Sequence, residues 1–285
     1  MRVLILGVTG MLGSALFKHF SAAAELEVWG TLRNARGVRH FHESMHQRLL
    51  CGVDVLDQDS LVSVLSRVRP AVVINCVGLI KQLADAQDPL SALPINSMLP
   101  HRLASLCGLL EARLIHISTD CVFSGRKGMY VEKDISDAED LYGKSKYIGE
   151  VGGLRNSITL RTSIIGHELD SQLSLIDWFL SQTGSVKGYA RAVFSGLPTV
   201  EIARVIKSFV LPCPELYGVY NVSAAPIDKF SLLKLVADVY GHSINIVEDR
   251  LVCIDRSLDS TRFKNATGYV PPSWPELIRL MRDCR

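Results

Sequence analysis

The chain has 285 residues, of which 48% are hydrophobic and 21% charged, and its formal net charge is +2. This composition is ordinary for a globular protein of one large domain, or of a domain with a smaller lobe, and the charge is too small to favour nucleic acid or a membrane surface. The seven cysteines form no C-x-x-C pair, and no apolar run reaches the roughly 18 residues of a membrane span. With no signal-peptide pattern at the start, a cytoplasmic protein is predicted.

Short apolar runs alternate with helical patterns through the first half of the chain. In chain order these are the strand RVLILG, the helix MLGSALFKHFS, the strands LEVWGTLR and RLLCGVDV, the helix LDQDSLVSVLSRV, the strand AVVINCVG, a helix over residues 96–110, the strand ARLIHISTD, the helix LYGKSKYIGE and the strand SITLRTS. Apolar strands separated by helices predict a parallel sheet with both faces covered. The predicted fold class is therefore α/β, a doubly wound parallel sheet of the Rossmann type.

The pattern changes after about Ser163. SLIDWFLSQT, EIARVIKSFVL, DKFSLLKLVADVYG and WPELIRLM are typical of helices, and YGVYNVSA is typical of a strand. This predicts a Rossmann-type domain over residues 1–163, rejoined by the strand near 217–223, and a smaller mixed substrate-binding lobe over residues 164–285.

A glycine-rich turn, GVTGMLG, lies directly after the first strand and opens the first helix. Glycines allow a tight turn and a close approach of pyrophosphate to the backbone, and the helix N-terminus offers free N–H groups. An ordinary strand-to-helix turn is the alternative. The predicted dinucleotide-binding residues here are Gly7, Thr9, Gly10, Met11, Leu12 and Gly13.

The end of the second strand indicates which dinucleotide binds. A carboxylate about 20 residues after the turn would bind the ribose hydroxyl of NAD, but this position holds Arg33, and no carboxylate lies in GTLRNARGVR. A guanidinium suits a 2′-phosphate, so NADP(H) is favoured and NAD(H) remains open. Further cofactor contacts are predicted by position, after the third and fourth strands, at Asp54, Val55, Cys76, Val77 and Gly78.

The helix LYGKSKYIGE carries a tyrosine and a lysine four positions apart, on one face. An ammonium close to Tyr142 would favour the phenolate and lower its pKa toward a useful range, and Lys146 could also hold ribose hydroxyls. Gly143 and Gly149 are costly in a helix. We interpret them as clearance for a dinucleotide or a neighbouring strand.

Taken in order, the segments GVTGMLG, STD (118–120) and YGKSK (142–146) resemble an extended short-chain dehydrogenase/reductase, and most closely the dTDP-4-dehydrorhamnose reductase family. STDCVFSG, LRTS and SGLPT add to the resemblance. It implies an NAD(P)H-dependent reductase of a nucleotide-linked 4-keto-deoxysugar. In that reaction Tyr142 donates a proton, Lys146 binds the nicotinamide ribose and Thr119 positions the carbonyl oxygen.

The sequence departs from the family pattern where a substrate would bind. Cys121 stands in place of the tyrosine that follows S-T-D, and RAVFSGLPT lacks the usual acidic and glutamine residues. The sugar and the nucleotide are therefore left open. Candidate substrate residues, by their place in segments expected to face the cleft, are Lys81, Asp120, Cys121, Arg191 and Ser195.

Two other functions remain open. Epimerases share the fold and the Tyr/Lys pair, and some relatives of the reductase bind dinucleotide as non-catalytic regulatory subunits. A homodimer is left open as well. No metal site is predicted, because His40, His42 and His46 lack a third or fourth firm ligand and are interpreted as part of a solvated loop.

Overall fold

The computed structural model describes residues 1–80 and 87–285. Its fourteen strands, in chain order, are β1 (Arg2–Leu6), β2 (Glu27–Leu32), β3 (Leu49–Cys51), β4 (Val72–Asn75), β5 (Arg113–Thr119), β6 (Ser157–Thr162), β7 (Ile164–Ile165), β8 (Ser185–Tyr189), β9 (Ala192–Phe194), β10 (Leu197–Pro198), β11 (Gly218–Asn221), β12 (Ile227–Asp228), β13 (Asn245–Asp249) and β14 (Ile254–Asp255).

The α-helices of the described residues are α1 (Met11–Ser21), α2 (Glu43–His46), α3 (Gln58–Val68), α4 (Pro89–Ala92), α5 (Leu99–Leu109), α6 (Leu141–Ile148), α7 (Leu175–Ser181), α8 (Thr199–Val205), α9 (Lys229–Tyr240), α10 (Thr261–Thr267) and α11 (Trp274–Asp283). Two π-helical segments adjoin α5 and α8, at Leu93–Met98 and Ile206–Val210. Short 3₁₀ turns cover Ala35–His40 and Asp120–Val122. Among the described residues, no helix has the length and apolar character needed to cross a bilayer.

The central sheet has seven strands in the order β11-β6-β5-β4-β1-β2-β3. Every pairing in it is parallel. The side chains of β1 alternate between two buried clusters, with Val3 and Ile5 on one face and Leu4 and Leu6 on the other. Both faces are therefore covered, as the continuous apolar strands predicted, and the doubly wound α/β fold class is confirmed.

The second half of the chain contributes to the same sheet. Strand β11 pairs with β6 in parallel, and three smaller sheets (β7 with β10, β9 with β12 and β14, β8 with β13) build the rest. One buried cluster runs from Val3 in β1 to Met281 in α11. The two halves of the chain share this core. The division at residue 163 stays a prediction.

Helix α5 differs from the prediction at its start. A single helix was expected over residues 96–110, but the chain first forms the π-helical turn at Leu93–Met98. Asn96 in this turn is 1% exposed, and its Oδ1 accepts a hydrogen bond from the Leu79 N–H at 2.9 Å. The Asn96 side chain thus reaches from the π-helical turn to the segment that follows β4.

Candidate active site

The turn between β1 and α1 depends on glycines. Gly7 has a φ of 81°, in the left-handed region that favours glycine. A Cβ on Gly13 would collide with the carbonyl group of Gly7. Helix α1 begins after Gly10, and no side chain of the described residues caps it, whereas Asp140 caps α6. The N–H groups of its first turn are thus available for an anion such as pyrophosphate.

The segment after β2 lies against this turn. A Cβ on Gly37 would stand 2.5 Å from Cγ2 of Thr9, so the two segments touch. Arg33 is exposed just after β2. Arg39, in contrast, is an ion-pair partner of Asp170, with Nη2 donating to Oδ1 at 2.6 Å. Of these two arginines, Arg33 is the one better placed to meet a phosphate.

The segments after β3 and β4 reach the same edge of the sheet. Asp54 is exposed, and its Oδ1 accepts the Leu56 N–H at 2.9 Å. A Cβ on Gly78 would lie 3.8 Å from Nζ of Lys146. Burial raises the pKa of the Cys76 thiol to about 12, which keeps it protonated. The cofactor contacts predicted in these segments stay predictions, at Asp54, Val55, Cys76, Val77 and Gly78.

Thr119 ends β5, Tyr142 lies in the first turn of α6, and their side chains lie close together. Burial raises the pKa of the Tyr142 phenol, and the neighbouring Cys121 and Asp120 raise it further. The sequence predicted a lowered pKa, and that part of the prediction is wrong because desolvation is the largest effect on the phenol, and the Thr119 side chain, which lowers the pKa, does not offset it. The phenol keeps its proton at neutral pH, which is the state that a proton donor requires.

Lys146 is 6% exposed, and its Nζ donates to the carbonyl oxygen of Ile117 at 2.8 Å. Burial lowers the pKa of Lys146 to about 8, while the charges of Glu150 and Cys76 act to raise it. The ammonium is therefore largely protonated at pH 7. It lies one helical turn from Tyr142, as the spacing predicted.

A buried ion pair that was not predicted from the sequence lies near Lys146. Nε and Nη2 of Arg161, on β6, donate to the two carboxylate oxygens of Glu150 at 2.9 and 2.6 Å. The side chains are 2% and 5% exposed. Ser118 Oγ donates to Oε1 of Glu150 at 2.7 Å. The four-residue spacing of Lys146 and Glu150 is the sequence signal that indicates their proximity.

The glycines of α6 are explained by the protein itself. A Cβ on Gly143 would collide with the Cys121 carbonyl, and one on Gly149 would collide with the Asn96 carbonyl. They allow α6 to pack directly on neighbouring backbone. Of the two alternatives offered for these glycines, clearance for a dinucleotide is wrong, and clearance for a neighbouring chain segment agrees with the structure.

A polar cavity of about 320 Å³ lies beside the start of α6, lined in part by Cys121, Phe123, Asp140 and Arg256. Arg256 Nε donates to the Phe123 carbonyl at 2.8 Å. Burial raises the pKa of the Cys121 thiol to about 12, so a reactive thiolate is disfavoured. Burial also raises the pKa of Asp120, while Arg256 opposes this shift. A second, more apolar cavity of about 390 Å³ lies beside α5 and contains none of these residues.

Of the other predicted substrate residues, Arg191 and Ser195 do not line this cavity. Lys81 lies outside the described residues. Arg191 is exposed between β8 and β9. Ser195 is 2% exposed, and its hydroxyl accepts the Leu258 N–H at 2.8 Å, which favours a structural role.

The three neighbouring histidines have separate partners. Their ring nitrogens hydrogen-bond within the segment or to the 166–174 loop, with His40 bonded to Asp170, His42 to Ser44 and His46 to the Phe41 carbonyl. Across residues 1–80 and 87–285, no group of three or more His, Cys, Asp or Glu side chains could hold a metal ion.

The parallel strand order, the glycine turn and the Thr/Tyr/Lys cluster define a Rossmann-type chain of the extended short-chain dehydrogenase/reductase class. The model of the RmlD substrate binding domain family matches residues 1–186. The chain belongs to this family, and the resemblance inferred from the sequence is confirmed.

Several curated proteins are similar to this chain. Methionine adenosyltransferase 2 subunit beta of Mus musculus is 31% identical over 172 residues, which cover 59% of this chain and 48% of that protein. The match thus spans only about half of that relative's length. The dTDP-4-dehydrorhamnose reductase of Aggregatibacter actinomycetemcomitans is 24% identical over 305 residues, covering 99% of this chain and 98% of that protein.

Solved structures share the fold. The dTDP-4-dehydrorhamnose reductase of Bacillus anthracis, in complex with NADP, superimposes with a TM-score of 0.79 at 20% identity. The superposition covers 99% of this chain and 98% of that one. At this level of identity the similarity establishes the fold and leaves the substrate open.

Proposed function

We propose that the chain is an NADPH-dependent reductase of a nucleotide-linked 4-keto-deoxysugar. The observation that carries the proposal is the cluster of Thr119, Tyr142 and Lys146. The phenol lies close to the Thr119 side chain, and the ammonium lies one turn further along the same helix. The cluster lies at the carboxyl ends of parallel strands, where ligands of doubly wound folds bind.

The residues of the glycine turn fit a dinucleotide. The uncapped N-terminus of α1 suits a pyrophosphate, and the exposed Gly10 leaves the backbone open there. Arg33, exposed after β2, suits a 2′-phosphate, which supports NADP(H) over NAD(H). The Bacillus anthracis relative that shares the fold binds NADP.

In the proposed reaction the bound cofactor supplies a hydride to the carbonyl carbon of the sugar. The Thr119 hydroxyl orients the carbonyl oxygen. As the carbonyl is reduced, its oxygen becomes a strongly basic alkoxide, and Tyr142 gives it the phenolic proton to form the hydroxyl. A raised phenol pKa therefore does not prevent the transfer. Lys146 holds ribose hydroxyls and provides positive charge near the phenolate that Tyr142 leaves behind.

The substrate would enter through the polar cavity beside α6. Cys121 and Arg256 line it, next to the proton donor. A guanidinium favours an anionic group such as a diphosphate. The second half of the chain, which supplies Arg256, is proposed as the substrate-binding lobe.

A labelled-cofactor experiment tests the function. The protein is incubated with NADPH deuterated at the hydride position and with a panel of 4-keto sugars linked to deoxythymidine, uridine or guanosine diphosphate. One sugar product should gain one deuterium at the former carbonyl carbon. A chain that transfers no label to any of them is not a reductase of this class.

A second candidate is a regulatory subunit that binds dinucleotide without turnover. The specific observation favouring it is the similarity to methionine adenosyltransferase 2 subunit beta. Tight NADPH binding with no oxidation by any sugar in the panel would favour this candidate.

A further inference from the structure

We propose that Glu150 is a positioning residue of the active site. Its buried carboxylate, fixed by Arg161, holds Ser118 and thereby the end of β5 that carries Thr119, and it serves as the counter-charge of Lys146. The inference depends on the proposed function only for its effect on turnover.

The carboxylate of Glu150 is held by three hydrogen bonds. Arg161 donates to both oxygens, at 2.9 and 2.6 Å, and Ser118 donates to one at 2.7 Å. A buried ion pair gives little net stability compared with apolar residues of the same size. Stability alone is therefore a weak reason for a charged pair at this position, directly behind the site.

The last three residues of β5 connect this ion pair to the reacting groups. The Ile117 carbonyl accepts from Lys146 Nζ at 2.8 Å, Ser118 donates to Glu150, and the Thr119 side chain lies close to Tyr142. The Ser118–Glu150 bond thus fixes the strand between the contacts of Lys146 and Tyr142. A shift of the strand end would displace both.

Glu150 also acts on the charge of Lys146. Among the described residues, the titratable groups facing Lys146 are Cys76 after β4, His116 on β5 and Glu150 after α6. Glu150 has the largest effect among the groups that raise the pKa of Lys146, and burial raises the pKa of the Cys76 thiol to about 12, which keeps that thiol neutral. With Glu150 present, the pKa of Lys146 is about 8. Without it, the pKa falls further and the cation is partly lost at neutral pH.

The test is a titration of the Lys146 side chain by NMR in the wild type, Glu150→Gln and Glu201→Gln. Glu201 is the matched control, because it is fully buried in α8 and bonded to Arg204 at 2.8 and 2.7 Å. We expect the pKa of Lys146 to fall by about one unit in Glu150→Gln and to stay unchanged in Glu201→Gln. An unchanged pKa in folded Glu150→Gln, or an equal fall in both variants, overturns the counter-charge.

Two further variants keep the test decisive. If Glu150→Gln leaves Arg161 unpaired and fails to fold, the double variant E150Q/R161Q, which leaves no unpaired charge at position 161, takes its place in the same titration. Ser118→Ala removes only the bond to the strand. It should lower kcat about tenfold, as expected for a displaced reacting group, with the Lys146 titration unchanged, and a wild-type kcat refutes the anchoring role.

The two proposals fail separately. In a chain that reduces a nucleotide sugar, the alkaline limb of kcat/KM should move to lower pH in Glu150→Gln, following Lys146. If no sugar is reduced but the Lys146 titration still shifts, the reductase proposal fails and the role of Glu150 stands. If a sugar is reduced and neither the Lys146 titration nor the alkaline limb of kcat/KM moves in Glu150→Gln, the reductase proposal stands and the counter-charge role of Glu150 fails.

Discussion

At the scale of single residues, we propose that the cofactor preference depends on the Arg33 side chain. It is exposed after β2, while Arg39 in the same segment is bound to Asp170. A guanidinium can bind a 2′-phosphate through charge-assisted hydrogen bonds, each contributing roughly 1.5–3 kcal/mol.

Replacement of Arg33 by Asp should therefore move the preference toward NADH. The ratio of kcat/KM for NADPH over NADH should fall by at least about tenfold, since one charge-assisted contact is lost and a repulsion is added. The matched control is Arg279→Asp, which places the same change at an exposed position of α11. An equal ratio in wild type and Arg33→Asp would assign the phosphate to another group.

Residues also show where sequence reasoning ends. The Tyr142 and Lys146 pair follows from helical spacing, and the structure brings Thr119 to it. The direction of the Tyr142 pKa does not follow, because desolvation depends on how the tertiary structure covers the phenol. The Glu150–Arg161 pair joins α6 to β6, and only its spacing from Lys146 is visible in the sequence.

At the scale of elements, α6 is held against two stretches of backbone by its glycines. Gly143 meets the Cys121 carbonyl, and Gly149 meets the Asn96 carbonyl. Helix propensity alone favours alanine at both positions. The packing of α6 outweighs helix propensity here, because the Cβ of an alanine would displace the backbone that contacts each glycine.

Gly143→Ala should therefore destabilise the fold by about 1–3 kcal/mol, the usual range for overpacking. Gly153→Ala is the control, because a Cβ there has no described atom within 4 Å. Equilibrium unfolding in urea measures both. Equal stability of the two variants would mean that α6 can move away from Cys121 without loss.

Elements differ in how well the sequence predicts them. Helix α1 runs over Met11–Ser21, the whole of the predicted segment, because an amphipathic pattern follows a glycine turn. Strand β3 is only Leu49–Cys51, shorter than predicted, because its partner β2 ends at Leu32, the residue that pairs with Cys51. The π turns at Leu93–Met98 and Ile206–Val210 have no sequence signal that we recognise.

At the scale of the whole molecule, the two halves of the chain share one sheet and one core. Strand β11 extends the sheet at β6. Arg113 of β5 donates to the carbonyl oxygens of Val210 and Leu216 at 2.7 and 2.8 Å. The buried cluster continues from β1 into α11.

Thermal unfolding of the full chain should therefore give one calorimetric transition, with equal calorimetric and van't Hoff enthalpies. The reason is that neither half can lose its structure without exposing the shared apolar core. Two separated transitions would show that the halves are independent units and that the boundary near residue 163 is a true domain boundary.

The most direct test of the reductase proposal is the turnover of Tyr142→Phe with the accepted 4-keto nucleotide sugar, followed by NADPH oxidation. Tyr147→Phe, on the exposed part of the same helix, is the control. Loss of the proton donor should reduce kcat by roughly 10²–10⁴-fold, with NADPH binding unchanged and Tyr147→Phe fully active. Turnover of Tyr142→Phe close to that of the wild type would contradict the proposed role of the phenol.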